Sequence, residues 1–171
     1  VLAYCTDNGV YTAKEFLNKL AAKGQGLKHS GVGAHHHNGV AENAIGHVTR
    51  SARTIMIHAA IRWPEMTERE LWPLALDHAV WLHNNTPDLD SHLSPEEIWC
   101  KTKSDHHALQ RLHVWGCPTY VLQAKAQDGK KLPKWDPRSN RGQFVGLSPL
   151  HSSHVGLIRN LRTNNISPQF H

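Results

Sequence analysis

The stretch NGVAENAIGHVTRSARTIMIHAAIRW, residues 38–63, predicts the longest helix of the chain. Its apolar residues recur at intervals of four and three, at Ala41, Ile45, Val48, Ala52, Ile55 and Ala59. At about 100° per residue, this spacing forms one stripe, which is typical of a helix packed against a core. Glu42 lies in the first turn, about 100° from the centre of the stripe, with Thr49 and Arg53 each within about 20° of it. The predicted helix therefore carries a carboxylate, a hydroxyl and a cation along one side.

Shorter elements before and after this helix indicate an α/β chain. Residues 1–6 form an apolar run that predicts a strand, which ends at the turn Asp7-Asn8-Gly9. Three Ser/Thr-x-x-Glu capping boxes, beginning at Thr12, Thr67 and Ser94, predict the starts of further helices. After residue 105 the pattern changes to short β-rich runs separated by turn residues, which indicates a small barrel or meander. The runs are residues 114–122, 143–147, 154–158 and 166–170.

Composition and charge narrow the classes of protein. Three widely spaced cysteines do not form a disulfide framework, and the first residues do not form a secretory signal, so we expect an intracellular protein that is not secreted. No apolar run is long enough to span a membrane. Residues 1–62 contain seven Lys or Arg against three Asp or Glu, residues 101–171 contain eleven against three, and the segment between them contains one against eight. The two basic segments suit binding to a phosphate backbone, although a basic solvated surface is an equally good interpretation.

Asp7 and Glu42 are the candidate catalytic residues. A paired-metal phosphoryl-transfer site needs hard oxygen ligands that hold two Mg²⁺ or Mn²⁺ ions about 3.5–4 Å apart. Taken singly, each acid also has an ordinary structural explanation: Asp before Asn-Gly is common in turns, and Glu in a first helical turn is favoured by the helix dipole. The longer motifs around the two acids favour the catalytic interpretation.

Those motifs are Thr6-Asp7-Asn8-Gly9 and Asn38-Gly39-Val40-Ala41-Glu42-Asn43, with 34 residues between the two acids. Further short motifs follow in order: Leu71-Trp72, Asn85-Thr86-Pro87, Ser94-Pro95-Glu96-Glu97-Ile98-Trp99, residues 114–121, residues 141–148 and residues 166–171. In this order the motifs resemble the integrases of copia-type long-terminal-repeat retrotransposons, and the resemblance extends over essentially the whole chain.

The resemblance implies a domain organisation. Residues 1–63 would be the rear part of an RNase H-like integrase catalytic core, and residues 64–108 a helical extension or linker. Residues 109–171 would form a small Src-homology-3-like β-barrel. The family's first catalytic aspartate and its His/Cys zinc module would lie upstream of Val1.

The resemblance also implies a function, which is DNA integration through 3′-end processing and strand transfer. Asp7 and Glu42 would be catalytic metal ligands for Mg²⁺ or Mn²⁺, and with two of the three carboxylates the chain alone is not expected to catalyse. The predicted nucleic-acid contacts are Asn8, Asn38, Thr49, Arg50, Arg53, Lys130, Lys131, Lys134, Arg138 and Arg141. The expected partners are the element's DNA ends, target DNA, the upstream integrase portion and further copies of the chain, in the nucleus or cytoplasm and without a membrane.

Two alternatives remain open at this point. The chain could be a non-catalytic module that binds nucleic acid or protein, or a decayed element with no function. The histidine runs at residues 35–37 and 106–107 are interpreted as polar loop residues rather than as a zinc or copper site, because adjacent histidines do not define a tetrahedral geometry. The tryptophans are expected mainly in the core: Trp72, Trp81 and Trp99 on helices, with core packing favoured over base stacking for Trp115 and Trp135.

Overall fold

A computed structural model describes residues 2–6, 13–29, 39–152 and 155–170. The chain divides into two compact units, Val1–His47 and Val48–His171. Within the described residues the secondary structure is a mixture of helices, a parallel strand pair and an antiparallel sheet. The three-part division at residues 63 and 108 stays a prediction. In the described parts of the chain, no helix is long and apolar enough to cross a lipid bilayer.

The first unit contains a parallel strand–helix–strand arrangement. Strand β1 spans Ala3–Thr6, helix α1 spans Lys14–Ala22 and strand β2 spans Gly26–His29. The strands β1 and β2 pair in parallel, with Ala3 opposite Gly26 and Thr6 opposite His29. A parallel pair requires a crossover connection, and α1 lies in that connection. The predicted N-cap residue of α1, Thr12, lies outside the described residues.

Helix α2 spans Gly39–Arg62 and confirms the longest predicted helix. The division between the two units falls within it. Its predicted apolar stripe is buried unevenly: Ala52 and Ala59 belong to the core of the second unit, whereas Ala41 and Ile45 are exposed. A repeat in the sequence identifies the side of a helix that is apolar, but it does not show how far along the helix a partner extends.

Two of the predicted capping boxes, at Thr67 and Ser94, lie at or near the starts of the next helices. A 3-10 helix at Arg69–Leu71 leads directly into α3, which spans Trp72–Asn85. The capping box predicted at Thr67 is wrong, because the Thr67 hydroxyl donates to the Trp63 carbonyl at 3.2 Å instead of capping a helix. The prediction at Ser94 is confirmed. Helix α4 spans Pro95–Cys100, where the Ser94 side chain accepts from the Glu97 N–H and the Glu97 carboxylate accepts from the Ser94 N–H.

Four antiparallel strands form the sheet of the second unit, as predicted from the β-rich runs after residue 105. They are β3 Pro118–Leu122, β4 Ser139–Leu147, β5 Gly156–Asn160 and β6 Ile166–Gln169, arranged in the order β3-β4-β5-β6. Two short helices that the sequence pattern missed, α5 at His107–Gln110 and α6 at Ala124–Gln127, precede and follow β3.

The sheet is open in the part of the chain that the structure describes. Strands β3 and β6 are its two edges and do not pair with each other, so the predicted barrel is present only as its antiparallel strands and not as a closed barrel. The register between β4 and β5 shifts between Phe144 and Leu147. Such an irregularity bends a strand locally and increases its twist.

Small residues let α2, α3 and the sheet of the second unit pack closely. The core comprises Ala52, Ala59, Leu71, Ala75, Ala79, Trp115 and Val145. The indole of Trp115 is buried and donates to the Val145 carbonyl at 3.0 Å. Beside it, Gly116 has a φ of +85°, and a Cβ at this position would lie 2.6 Å from the Cβ of Ala59. Glycine is therefore required here both for the backbone conformation and for the contact with α2.

A buried arginine ties the loop after α2 to the sheet. The Arg159 side chain on β5 is 4% exposed and donates to the Met66 carbonyl at 3.1 Å and to Gln143 Oε1 at 3.3 Å. The same guanidinium binds the Glu68 carboxylate and, at 2.8 Å, the Asn164 amide oxygen. A buried charge is tolerated when it is paired and hydrogen-bonded, and Arg159 has an ionic partner in Glu68 and three further acceptors.

Candidate nucleic-acid interface

Five of the predicted nucleic-acid contacts lie in and beside the connection between β3 and β4: Lys130, Lys131, Lys134, Arg138 and Arg141. This connection begins at Gln123, continues through α6 and ends at Ser139, where β4 starts. Gln123 closes its base, because its backbone N–H donates to the Arg138 carbonyl at 2.8 Å and its side-chain amide donates to the Pro137 carbonyl at 2.9 Å. The two ends of the connection are thus held together, and the basic residues between them extend from a fixed base.

This connection and the first residues of β4 carry six cations, Lys125, Lys130, Lys131, Lys134, Arg138 and Arg141, and two acids, Asp128 and Asp136. All six cations are exposed. Lys130 lies 3.4 Å from Asp128, and Arg141 lies 3.1 Å from Glu65; the other four make no ion pair with any described residue. We call these six residues together with Trp135 the basic surface. Its excess of positive charge suits a polyanion.

Trp135 lies in the middle of the basic surface and is 89% exposed. The prediction that it packs in a core is wrong, whereas the same prediction for Trp115 is confirmed, since that residue is 2% exposed. The ammonium of Lys134 lies 5.4 Å from the centre of the Trp135 ring. An indole held in solvent beside a cation is available for stacking on a nucleobase.

Two more tryptophans differ from the prediction of core packing. Trp72, the first residue of α3, is 59% exposed, and Trp99 on α4 is 70% exposed. Trp81 is half-buried and stacks on His78 with 6.5 Å between ring centroids. Helical spacing with apolar neighbours does not show which of several tryptophans a small core can enclose.

Of the other predicted site residues, some lie in the described part of the chain and some do not. Glu42 is exposed in the first turn of α2, and Thr49, Arg50 and Arg53 are exposed further along the same helix. Asp7, Asn8 and Asn38 lie outside the described residues. The predicted association of Asp7 with Glu42 therefore stays a prediction.

The predicted metal site depends on the same two acids, Asp7 and Glu42. Among residues 2–6, 13–29, 39–152 and 155–170, no group of three His, Cys, Asp or Glu side chains is arranged to hold a metal ion. Glu42 is the one member of the predicted pair that the structure describes, so the geometry of a two-metal site is not defined. His35, His36 and His37 also lie outside the described residues.

The second histidine run is engaged in local contacts. His106 lies 3.5 Å from the buried carboxylate of Glu97, and His107 lies 3.5 Å from Asp105. The pKa of Glu97 is lowered, first by the backbone N–H of Ser94, then by that of Ser104, with a smaller contribution from His106. The Glu97 carboxylate is thus kept ionised as part of a helix cap rather than as a metal ligand.

Comparisons with known proteins give a limited result. No protein-family model matches the chain. Among solved structures it is similar to a chain in the cryoEM structure of the simian T-cell lymphotropic virus intasome in complex with PP2A regulatory subunit B56 gamma, with a TM-score of 0.42 and 14% sequence identity. The match covers 97% of this chain and 54% of that chain, so this chain spans about half the length of the protein it matches. A similarity of this size carries no conclusion about function.

The sequence-based prediction missed two cations in or beside the basic surface, Arg162 and Lys125. Arg162 follows β5 in sequence, yet it lines the same clefts as Pro137 and Asn140, which lie near the start of β4. The local sequence does not indicate that Arg162 belongs to this region, because only the antiparallel pairing of β4 with β5 brings the two segments together. Lys125, in the same connection as the predicted lysines, could have been included from its position in the chain alone.

Proposed function

We propose that the chain binds nucleic acid through the basic surface of its second unit. The observation that carries this proposal is the combination at residues 125–141 of six exposed cations with an exposed tryptophan. Cations bind a phosphate backbone largely through the release of counterions, and an exposed indole adds a stacking platform for bases. The exposed indole, with the Lys134 ammonium 5.4 Å from its ring centre, distinguishes this surface from a cluster of cations alone.

We further propose that the chain is part of an integrase of the copia-type retrotransposon class. The ordered motifs from Thr6-Asp7-Asn8-Gly9 to residues 166–171 support this assignment. In such a protein Asp7 and Glu42 would hold Mg²⁺ or Mn²⁺ together with an upstream carboxylate, and the element's DNA ends and target DNA would be the substrates. Residues 1–171 alone are then expected to bind DNA without joining it.

The binding proposal is tested by removing charge from the basic surface. Fluorescence anisotropy with a labelled DNA duplex should show that Lys130→Gln/Lys131→Gln/Lys134→Gln weakens binding about tenfold or more at low salt, since each phosphate contact contributes to the counterion term. The matched control is Lys23→Gln/Lys101→Gln/Lys103→Gln, which removes three exposed lysines outside the basic surface. Equal weakening by both sets would show that net charge and not this surface determines binding.

The catalytic part of the proposal needs a separate assay. Purified residues 1–171 with Mn²⁺ should neither nick nor join labelled DNA, because two carboxylates do not hold two metal ions in register. If the upstream integrase portion is added and restores strand transfer, Glu42→Gln should abolish it, whereas Glu15→Gln, which changes an exposed helical glutamate elsewhere, should not. Joining of DNA by residues 1–171 alone would contradict the proposed division of the carboxylates.

A second candidate function is binding of a protein partner, and the exposed apolar residues of α4 favour it. Ile98 is 60% exposed and Trp99 is 70% exposed on this short helix. Exposed tryptophans are common anchors of protein interfaces. Capture of a partner that survives high salt and is lost on Trp99→Ala would support this function, while Trp135→Ala would leave such capture unchanged.

A further inference from the structure

Two adjoining clefts lie at the base of the basic surface. One has a volume of about 600 Å³ and the other about 580 Å³, and they share Gln123, Pro137, Asn140 and Arg162. Volumes of about 300–1,000 Å³ are typical of sites for small organic ligands. The space is therefore large enough for a mononucleotide unit, and it lies where the chain concentrates its positive charge.

The walls of the clefts combine cations with amide side chains. Arg162 lines both clefts and Lys125 lines one of them, and neither forms an ion pair with any described residue. Asn140 adds an amide group and Asn160 adds amide N–H donors, while Asp136 is the acid among the lining residues of the two clefts. Cations bind phosphate, and amides offer a donor and an acceptor that match the hydrogen-bonding edge of a base.

The backbone around the clefts is held in place before any ligand binds. The Asn160 side-chain oxygen accepts from the Arg162 N–H at 2.9 Å and from the Thr163 N–H at 3.3 Å, so it fixes the turn that carries Arg162. On the opposite wall the Gln123 amide donates to the Pro137 carbonyl at 2.9 Å. A cleft whose walls are fixed in this way loses less conformational entropy when it binds a ligand.

Trp135 adds an aromatic ring to the cations and amides of this region. It lies in the chain between Pro133 and Asp136, both of which line one of the clefts. An indole can stack on the face of a base only if that face is not already covered by neighbouring base pairs. In a duplex, neighbouring base pairs cover the faces of each base, so Trp135 cannot stack on them. The pairing edges are also occupied, so the amides of the clefts cannot bond to those edges.

We infer that these clefts bind an unpaired stretch of nucleic acid, with Trp135 stacking on a base and Arg162 and Lys125 holding the adjacent phosphates. This inference rests on the proposed nucleic-acid binding and deepens it, since it names unpaired nucleotides and not duplex as the preferred ligand. It also assigns Lys125, Asn140 and Arg162 to the site. A contact with the phosphate backbone of a duplex would use the cations alone.

The test compares binding of the full chain to three labelled probes: a single-stranded DNA, an RNA of the same sequence, and the DNA duplex. Wild-type chain should bind at least one of the single strands about tenfold more tightly than the duplex, and the better of the two identifies the sugar. Trp135→Ala should remove about tenfold or more of the single-strand affinity, as expected when one base can no longer stack, and leave duplex binding nearly unchanged. The matched control is Trp72→Ala, which removes an exposed tryptophan from the start of α3.

The clefts are tested by Asn140→Ala and by Arg162→Gln, with Lys103→Gln as the charge control. Both cleft variants should weaken binding of the preferred single strand at least fivefold, and Lys103→Gln should change it less than twofold. Equal affinity for duplex and single strands, with no effect of Trp135→Ala, would overturn this inference and leave the proposed function intact. Failure of the wild-type chain to bind any of the three probes would instead overturn the proposed function.

Discussion

Acidification should destabilise the second unit through one buried histidine. His78 on α3 is 4% exposed, contacts the rings of Trp81 and Phe144, and its Nδ1 has no hydrogen-bond partner among the described residues. Burial lowers the pKa of His78 from 6.5 to about 4. The folded protein therefore holds this ring neutral in a pH range where the unfolded chain protonates it.

The direction and size of the change in folding stability follow from the difference in proton binding between the folded and unfolded chain. Because the unfolded chain binds more protons than the folded protein below pH 6.5, the stability due to His78 is fully present above that pH and is lost as the pH falls toward 4. Between pH 7.5 and pH 5, the loss amounts to about 2 kcal/mol for a shift of this size. At a typical urea dependence of about 2 kcal/mol per molar, the unfolding midpoint should fall by roughly 1 M.

The assay is urea unfolding followed by tryptophan fluorescence at both pH values. All six tryptophans lie between residues 63 and 135, so the signal reports on the second unit. The matched variant His78→Phe keeps an aromatic ring and removes the titrating group, and its midpoint should fall by about 1 M less than that of the wild type over the same pH range. The same fall in both proteins would refute the reasoning, because the pH dependence would then come from other groups.

Three substitutions test the packing of the second unit. Gly116→Ala should destabilise by about 3 kcal/mol in urea unfolding, since its Cβ would lie 2.6 Å from that of Ala59 at a positive φ; a destabilisation below about 1 kcal/mol would contradict this close approach. Arg159→Ala should cost about 3 kcal/mol because it removes the partner of Glu68 and of two buried acceptors, and an unchanged melting temperature would argue against that network. Ser94→Ala should cost about 1 kcal/mol, as measured by thermal unfolding, and a stabilised variant would argue against the capping box.

Local signals in the sequence predicted the elements well. The periodicity of residues 41–59 predicted α2, and the Ser94 capping box predicted the start of α4, since each signal is contained within a single helix and its cap. The same signature failed at Thr67, where the Trp63 carbonyl competes for the hydroxyl. When a hydroxyl has two possible hydrogen-bond partners nearby in the chain, the sequence alone does not predict which of them it binds.

Contacts between residues far apart in the chain could not be predicted from the sequence. The partners of Arg159 lie as far as 93 positions away, and no local pattern indicates that an arginine will be buried among them. Exposure was equally hard to foresee: core packing was predicted for both Trp115 and Trp135, yet Trp115 is buried and Trp135 lies in solvent. Five cations of the candidate site were predicted because a cluster of charge is visible at residues 130–141, whereas Lys125 was overlooked and Arg162 joins the site only through strand pairing.

The most direct test of nucleic-acid binding by the basic surface is its salt dependence. Binding of the full chain to a DNA duplex is measured by anisotropy at several salt concentrations, for the wild type and for Lys130→Gln/Lys131→Gln/Lys134→Gln. If these cations neutralise phosphates, the affinity should fall steeply with salt, and the log–log slope of the variant should be shallower by about 0.9 for each phosphate that is no longer neutralised. An affinity that does not change with salt, or a slope that is the same in both proteins, would contradict the account.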